Sequence, residues 1–358
     1  MRKILTAVIS FLILIIVMIS LILAFKPTTI KKDESKIQIV ATLFPQYDFA
    51  KQIVGDKAEV TLLVGAGVET HNFEPTAQDM VTMLDSTDIF LYTGTFLEPW
   101  TEDIVETLEE SNCKIANIAE NIELIKIEDF EKRHINSEIH YENHDHENEE
   151  IHKDERDIHN DNDVNNSSND IVEKESHIHN EACNHQDMYD GHVWQSLDNA
   201  IIMLENTLNA ICEIDPENAE EYKQNAQKYK QEILKLDTEI EEIVENSKQK
   251  EIAVGGEFAY AYFVEQYDLK FVSVYTNCGH GEDPSIAKVK SVIDYINNHK
   301  MPAVYYEELS EGTVAKMIAE ETSARPLVLY SIHNGNPEKD TYVSLMRKNI
   351  ESLKQGLK

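Results

Sequence analysis

The sequence predicts an α/β protein of two lobes, each a parallel sheet flanked by helices, joined by one long rigid helix. Three observations carry that expectation. A strand, helix, strand grammar occurs early in the chain and returns near its end. Between the two, apolar residues recur every three to four positions for roughly eight turns. The length of 358 residues, with 42% hydrophobic side chains, supplies apolar material for two ordinary cores.

The first residues set the compartment. Arg2 and Lys3 precede an apolar run from Ile4 to Phe25, broken only by Thr6, Ser10 and Ser20. Such a run is an export signal, and it is also long enough to span a bilayer with its basic end in the cytoplasm. No small-x-small cleavage pattern stands near Leu23-Ala24-Phe25 and no cysteine follows to carry a lipid. The expectation is an extracytoplasmic protein attached to the cell membrane through residues 1–36, with cleavage and release as the alternative. The formal charge of −34 excludes nucleic acid as partner and leaves cations welcome.

The first lobe is expected over 37–213. Ile37 to Phe44 reads as a buried strand ending at Pro45, Tyr47 to Val54 as a helix, and Glu59 to Val64 as a second strand leading into Gly65-Ala66-Gly67. Ligands gather where loops leave the ends of parallel strands, and His71 follows that turn. A helix from Ala77 to Ser86, a strand from Ile89 to Tyr92 and the exit phrase Leu97-Glu98-Pro99-Trp100 come next.

From 131 to 187 the chain turns acidic and crowded with histidine: His134, His140, His144, His146, His152, His159, His177, His179 and His185. This stretch has too little apolar surface to offset its chain entropy, so a disordered loop is expected. Neutral imidazoles on a flexible tether make a low-affinity metal collector, although a plain polar linker would share the composition. Cys183 could add a soft ligand. The four cysteines match no zinc-finger or redox spacing.

Asp190-Gly191-His192-Val193-Trp194 leads into a helix from Asp198 to Ile211. The linking helix is expected within 214–250, with Pro216 near its start, where a helix tolerates proline. The second lobe, 251–358, opens with a strand at Ile252 to Val254 and a helix headed by Glu257. Strands at Phe271 to Tyr275, Ala303 to Tyr306 and Leu327 to Tyr330 alternate with helices at Ile286 to Asn298 and Gly312 to Thr322. A last helix starts at Asp340, and His333 lies just past the final strand.

These phrases resemble the solute-binding proteins that feed zinc or manganese to ABC importers. The resemblance rests on His71-Asn72-Phe73-Glu74-Pro75-Thr76, Leu97-Glu98-Pro99-Trp100, Asp190-Gly191-His192-Val193-Trp194, Asp215-Pro216-Glu217-Asn218 and Asp283-Pro284-Ser285. Gly191 stands where the family has proline. The resemblance implies one ion held between the lobes by His71, His192, Glu257 and His333. Glu257 departs from the histidine of zinc members and matches the glutamate of manganese members; His333 replaces the usual aspartate, and His280 is a reserve ligand. It implies a monomer that presents its ion to ABC permease subunits.

Three imidazoles and one carboxylate suit four-coordinate Zn²⁺, whereas Mn²⁺ takes more hard oxygen donors. Zinc is therefore expected, with manganese as the alternative. A closed set of protein donors implies binding without catalysis. The rival class is a zinc metallohydrolase using Glu74 beside His71, but His71-x-x-Glu74 lacks the second helical histidine of that motif.

Overall fold

The computed structural model describes residues 36–68, 70, 73–109, 111–134, 189–275 and 284–358. The expected N-terminal anchor and the collector histidines from His140 to His185 lie outside them, as do His71 and His280. Among the described residues no helix is long and apolar enough to cross a membrane.

The first lobe runs β1 (Gln38–Ala41), α1 (Phe44–Val54), β2 (Glu59–Leu62), α2 (Ala77–Ser86), β3 (Ile89–Tyr92), α3 (Thr101–Glu109), β4 (Lys114–Asn117) and α4 (Ile127–His134). The strands are all parallel, in the order β2-β1-β3-β4. The strand read as far as Phe44 stops at Ala41, because α1 begins at Phe44 with Pro45 in its first turn. There a missing N–H leaves no helical bond unmade. The polar stretch from Thr101 to His134 hides α3, β4 and α4 from the sequence. In particular, α4 carries the chain as a helix through 131–134, where the loop was expected to have begun.

The second lobe repeats the same winding. It consists of β5 (Glu251–Val254), α7 (Ala261–Gln266), β6 (Lys270–Ser273), α8 (Ile286–His299), β7 (Ala303–Tyr306), α9 (Thr313–Glu320) and β8 (Arg325–Val328). Its order is β6-β5-β7-β8, again all parallel. Each sheet therefore reverses its winding direction at one place, between β1 and β3 and between β5 and β7. Crevices at such switch points, beyond the carboxyl ends of the strands, are where ligands bind.

Between the sheets run α5 (Leu197–Ile214) and the 28-residue α6 (Ala219–Asn246), about 42 Å long at 1.5 Å per residue. The Asp215-Pro216-Glu217-Asn218 phrase makes the sharp start of α6. The Asp215 carboxylate accepts from Asn218 Nδ2 (2.8 Å) and Tyr222 Oη (2.6 Å), which fixes the turn. Along α6 the buried side chains Tyr222, Ala226, Tyr229, Ile233, Leu236, Ile240 and Val244 form the stripe that its sequence rhythm requires. That stripe lies against α1, α5 and the C-terminal α10 (Tyr342–Gly356). The linking helix is thus packed along its length.

Both sheets bury both faces. Ile39, Ala41, Ile89 and Leu91 face inward, while Val40 and Phe90 face outward onto Met83, Ile104 and Leu108. Likewise Ile252 and Val254 face inward, and Ala253 joins Val292, Ile296 and Ile318 on the outside. The inner faces do not close two separate cores: one continuous apolar cluster runs from Ile39 to Leu357 through α5, α6 and α10.

Candidate metal centre

His192 and His333 come from opposite lobes and adjoin. Their ring centres are 6.0 Å apart, and both side chains are almost fully buried. Two imidazoles on one tetrahedral zinc, with Zn–N of about 2.1 Å, have ring centres about 5 Å apart. The observed spacing is about 1 Å wider than that value.

His192 stands at the head of the short turn Val193–Gln195 that precedes α5. Asp190 holds it there. Its Oδ1 accepts the His192 backbone N–H (2.7 Å) and lies 3.1 Å from Nδ1. A carboxylate oxygen accepts, so this bond places the ring proton on Nδ1 and the lone pair on Nε2. The adjoining Gly191 answers to a close approach: a Cβ there would lie 2.6 Å from Leu97 Cβ. Glycine lets the histidine turn settle on the Leu97-Glu98 loop.

His333 follows β8 in a turn that is held on every side. Its Nδ1 is 2.8 Å from Ser331 Oγ. Trp194 Nε1 donates to the Ser331 carbonyl (2.8 Å), and Gln195 Nε2 donates to it as well, so the two histidine-bearing turns are bonded to each other across the lobes. Asn334 makes the next tie. Its Oδ1 accepts from Gly67 N–H (2.8 Å), and its Nδ2 donates to the Val68 carbonyl (2.8 Å) and lies 3.5 Å from Thr70 Oγ1. The residue beside His333 thereby grips the first-lobe loop up to Thr70, the chain neighbour of His71.

Glu257 does not head a helix. It lies on the loop between β5 and α7, which starts only at Ala261, and so leaves the carboxyl end of a switch-point strand. Its backbone N–H donates to Glu307 Oε2 (3.0 Å) at the end of the adjacent β7. Gly256 permits this, since a Cβ there would sit 2.0 Å from the same oxygen. Among the described residues no three His, Cys, Asp or Glu side chains form a cluster fit for a metal ion. His192 and His333 are brought together, and Glu257 stands on the loop that follows β5. Glu74 is exposed, just ahead of α2, where Thr76 and Asp79 cap each other's backbone N–H groups.

The model of the ZnuA family, the periplasmic component A of the zinc-uptake complex, matches residues 39–356. The chain belongs to that family. It is similar to the zinc-binding protein AdcA of Streptococcus pyogenes serotype M3, at 29% identity over 350 residues. That match covers 96% of this chain but 61% of AdcA, so the chain spans less than two thirds of the AdcA length. The high-affinity zinc uptake system protein ZnuA of Bacillus subtilis is 26% identical over 326 residues, covering 90% of this chain and 88% of that protein. The crystal structure of the Zn(II)-bound ZnuA-like domain of Streptococcus pneumoniae AdcA superposes with a TM-score of 0.64 at 25% identity. It covers 90% of this chain and 99% of that one.

Two further features of this ZnuA-family chain escape its sequence. His134, grouped there with the collector, ends α4 with its ring 4.6 Å from that of Phe130 and its Nε2 3.1 Å from Glu265 Oε1 of the second lobe. Nearby, Lys126 and Tyr189 pair as an antiparallel bridge. Tyr262 Oη donates to the Asp190 carbonyl (2.9 Å) and accepts from Ile125 N–H (3.0 Å). Asp190 N–H also donates to the Ile125 carbonyl (2.9 Å), so the paired segments that end two residues before His192 are pinned by a second-lobe tyrosine.

The other feature is Glu98, fully buried at the first lobe's switch point. Its Oε2 accepts from Thr93 N–H (2.7 Å) and lies 3.5 Å from Gln46 Nε2. Burial outweighs the bonds from Thr42, Thr93, Gly94 and Gln46 and raises the carboxyl from 4.5 to about 7. An acid raised in the folded state favours folding fully below its unfolded value near 4.5, and that contribution is lost as pH rises through about 7. The whole span is worth about 3 kcal/mol. In urea titrations, the wild type should lose about that much stability relative to Glu98→Gln between acid and mildly basic pH. A difference that does not vary with pH would contradict a neutral, buried Glu98.

Proposed function

We propose that the chain is the extracytoplasmic receptor of an ABC-type zinc importer. One Zn²⁺ is held between lobes 37–213 and 251–358, which 214–250 joins, by His71, His192, Glu257 and His333. The observation that carries this reading is the pair of buried rings from opposite lobes, 6.0 Å apart, each with Nδ1 engaged by an oxygen. Neutral imidazoles with Nδ1 held in this way present Nε2 to a metal, the usual arrangement in zinc sites. The names of AdcA and ZnuA support zinc as the cargo.

Glu257 completes the set as the hard donor, entering from the switch point of the second sheet. With four protein donors the ion has no open position for water, so the site binds and releases without catalysis. The histidines from His140 to His185 collect ions at low affinity and pass them to this site. The receptor works as a monomer attached to the membrane through its N-terminal segment and hands its ion to permease subunits.

Metal analysis of protein purified without added metal, followed by competition, tests this. One equivalent of zinc is expected, retained against a large excess of manganese. Manganese displacing zinc at comparable concentrations would turn the assignment toward the reading that Glu257 alone favours.

A further inference from the structure

The residue that sets His333 is found 25 positions upstream in sequence, at the end of β7. Glu308 is largely buried, and its carboxylate bonds the turn that carries the histidine. Oε2 accepts from Ser331 N–H (2.7 Å) and Oε1 from Ile332 N–H (3.1 Å), while Ser331 Oγ lies 3.1 and 3.2 Å from the two oxygens. Ser331 Oγ is in turn 2.8 Å from His333 Nδ1.

Proton counting orders this chain. The serine hydroxyl has one proton, and the carboxylate is an acceptor, so the proton goes to Glu308. Ser331 Oγ then meets His333 as an acceptor, which places the ring proton on Nδ1 and the lone pair on Nε2. The backbone conformation is just as particular. Ile332 has φ of +63°, a region that a β-branched residue occupies only when its surroundings impose it. The Glu308 carboxylate bonds the N–H of that strained residue, Ile332, and the N–H of Ser331 before it. It is the surrounding that imposes it.

We infer that Glu308 is a positioning residue for the metal site, acting through Ser331 to fix both the tautomer and the direction of His333. The inference rests on His333 being a ligand, as proposed above. It places on the second lobe the counterpart of Asp190 on the first. In one lobe a carboxylate meets the ring nitrogen directly; in the other it reaches it through one hydroxyl. Outer partners of this kind commonly carry a factor of 10 to 100 in metal affinity.

The test uses the full chain with zinc affinity read by competition against a chromogenic chelator, and the visible spectrum of the Co²⁺-loaded protein as a report on coordination. Ser331→Ala removes the hydroxyl and leaves the Glu308 bonds to backbone N–H groups in place; Glu308→Gln alters the other end. Each should weaken zinc by about 10-fold to 100-fold and change the Co²⁺ spectrum, with apo-protein melting little altered for Ser331→Ala. In a His333→Ala background, Ser331→Ala should have no further effect on zinc, which a purely structural role would not produce. Two failures are separable. If His333→Ala itself leaves zinc affinity unchanged, the ligand assignment falls. If His333→Ala weakens binding while Ser331→Ala leaves affinity and spectrum intact, only the relay falls. Should Glu308→Gln not fold, Ser331→Ala decides alone.

Discussion

Replacing His192 and His333 together by alanine is expected to weaken zinc binding by about four orders of magnitude. Closed protein zinc sites bind with roughly 10–16 kcal/mol, so each of four donors carries about 3 kcal/mol and two carry about 6. The expectation is specific to this pair because their rings adjoin across the lobes, so removing both takes one donor from each wall. Single replacements should each cost about two orders. The fold should survive: the Asn334 ties to Gly67 and Val68 and the Trp194 bond to the Ser331 carbonyl do not pass through either ring. Competition titration reads the affinity, and melting of the apo protein reads the fold. A double variant that keeps stoichiometric tight zinc would place the ion elsewhere in the chain.

What the sequence could show followed from which residues make periodic patterns. Strands buried on both faces, such as Ile39-Val40-Ala41 and Ile89-Phe90-Leu91, read as apolar runs because both sides meet a core. The buried stripe of α6 was legible for the same reason. By contrast, β4 is an edge strand of half-buried residues and α4 buries only Phe130, so neither leaves a pattern. That is why His134 was grouped with the histidines that follow it, whereas it ends a helix against Phe130 and Glu265.

The candidate site divides along a similar line. His192 was legible from the phrase around it, and His333 from its place after the last strand of a parallel sheet. Glu257 was read as the head of a helix, since the apolar residues from Phe258 to Phe263 look helical before the helix has begun at Ala261; it lies on a loop instead. Glu308 and Ser331 gave no signal. Their pairing spans 23 positions and joins a strand end to a turn from a different strand, a relation that only the β7-β8 register creates. The reason for Gly191 was hidden likewise, because Leu97 reaches it from another loop.

Asp48→Ala is the second large effect, and it falls on stability rather than on the ion. Asp48 is fully buried on α1, where its Oδ2 accepts from Tyr229 Oη on α6 and from the Tyr342 backbone N–H (2.8 Å), while Oδ1 accepts from Gln52 Nε2 (3.0 Å). Burial raises this carboxyl above its ordinary range, and the three bonds oppose that rise. Tyr342 is the first residue of α10, so the carboxylate sits at a helix N-terminus and meets both an orphan N–H and the positive end of the helix dipole. One side chain therefore joins α1, α6 and α10, the elements that make the shared core continuous. Truncating it takes the acceptor from the Tyr229 hydroxyl proton and from a buried helix N–H, at a cost of about 3 kcal/mol. The effect on the ion should be much smaller. Tyr342 Oη donates to the Trp194 carbonyl (2.6 Å) and so touches the histidine turn only through its backbone, leaving the Asp190 bonds to His192 in place. The expected result is a urea midpoint that falls by about 3 kcal/mol of stability with zinc affinity changed by less than about tenfold. A loss under about 1 kcal/mol would show that α10 is held by its apolar face alone.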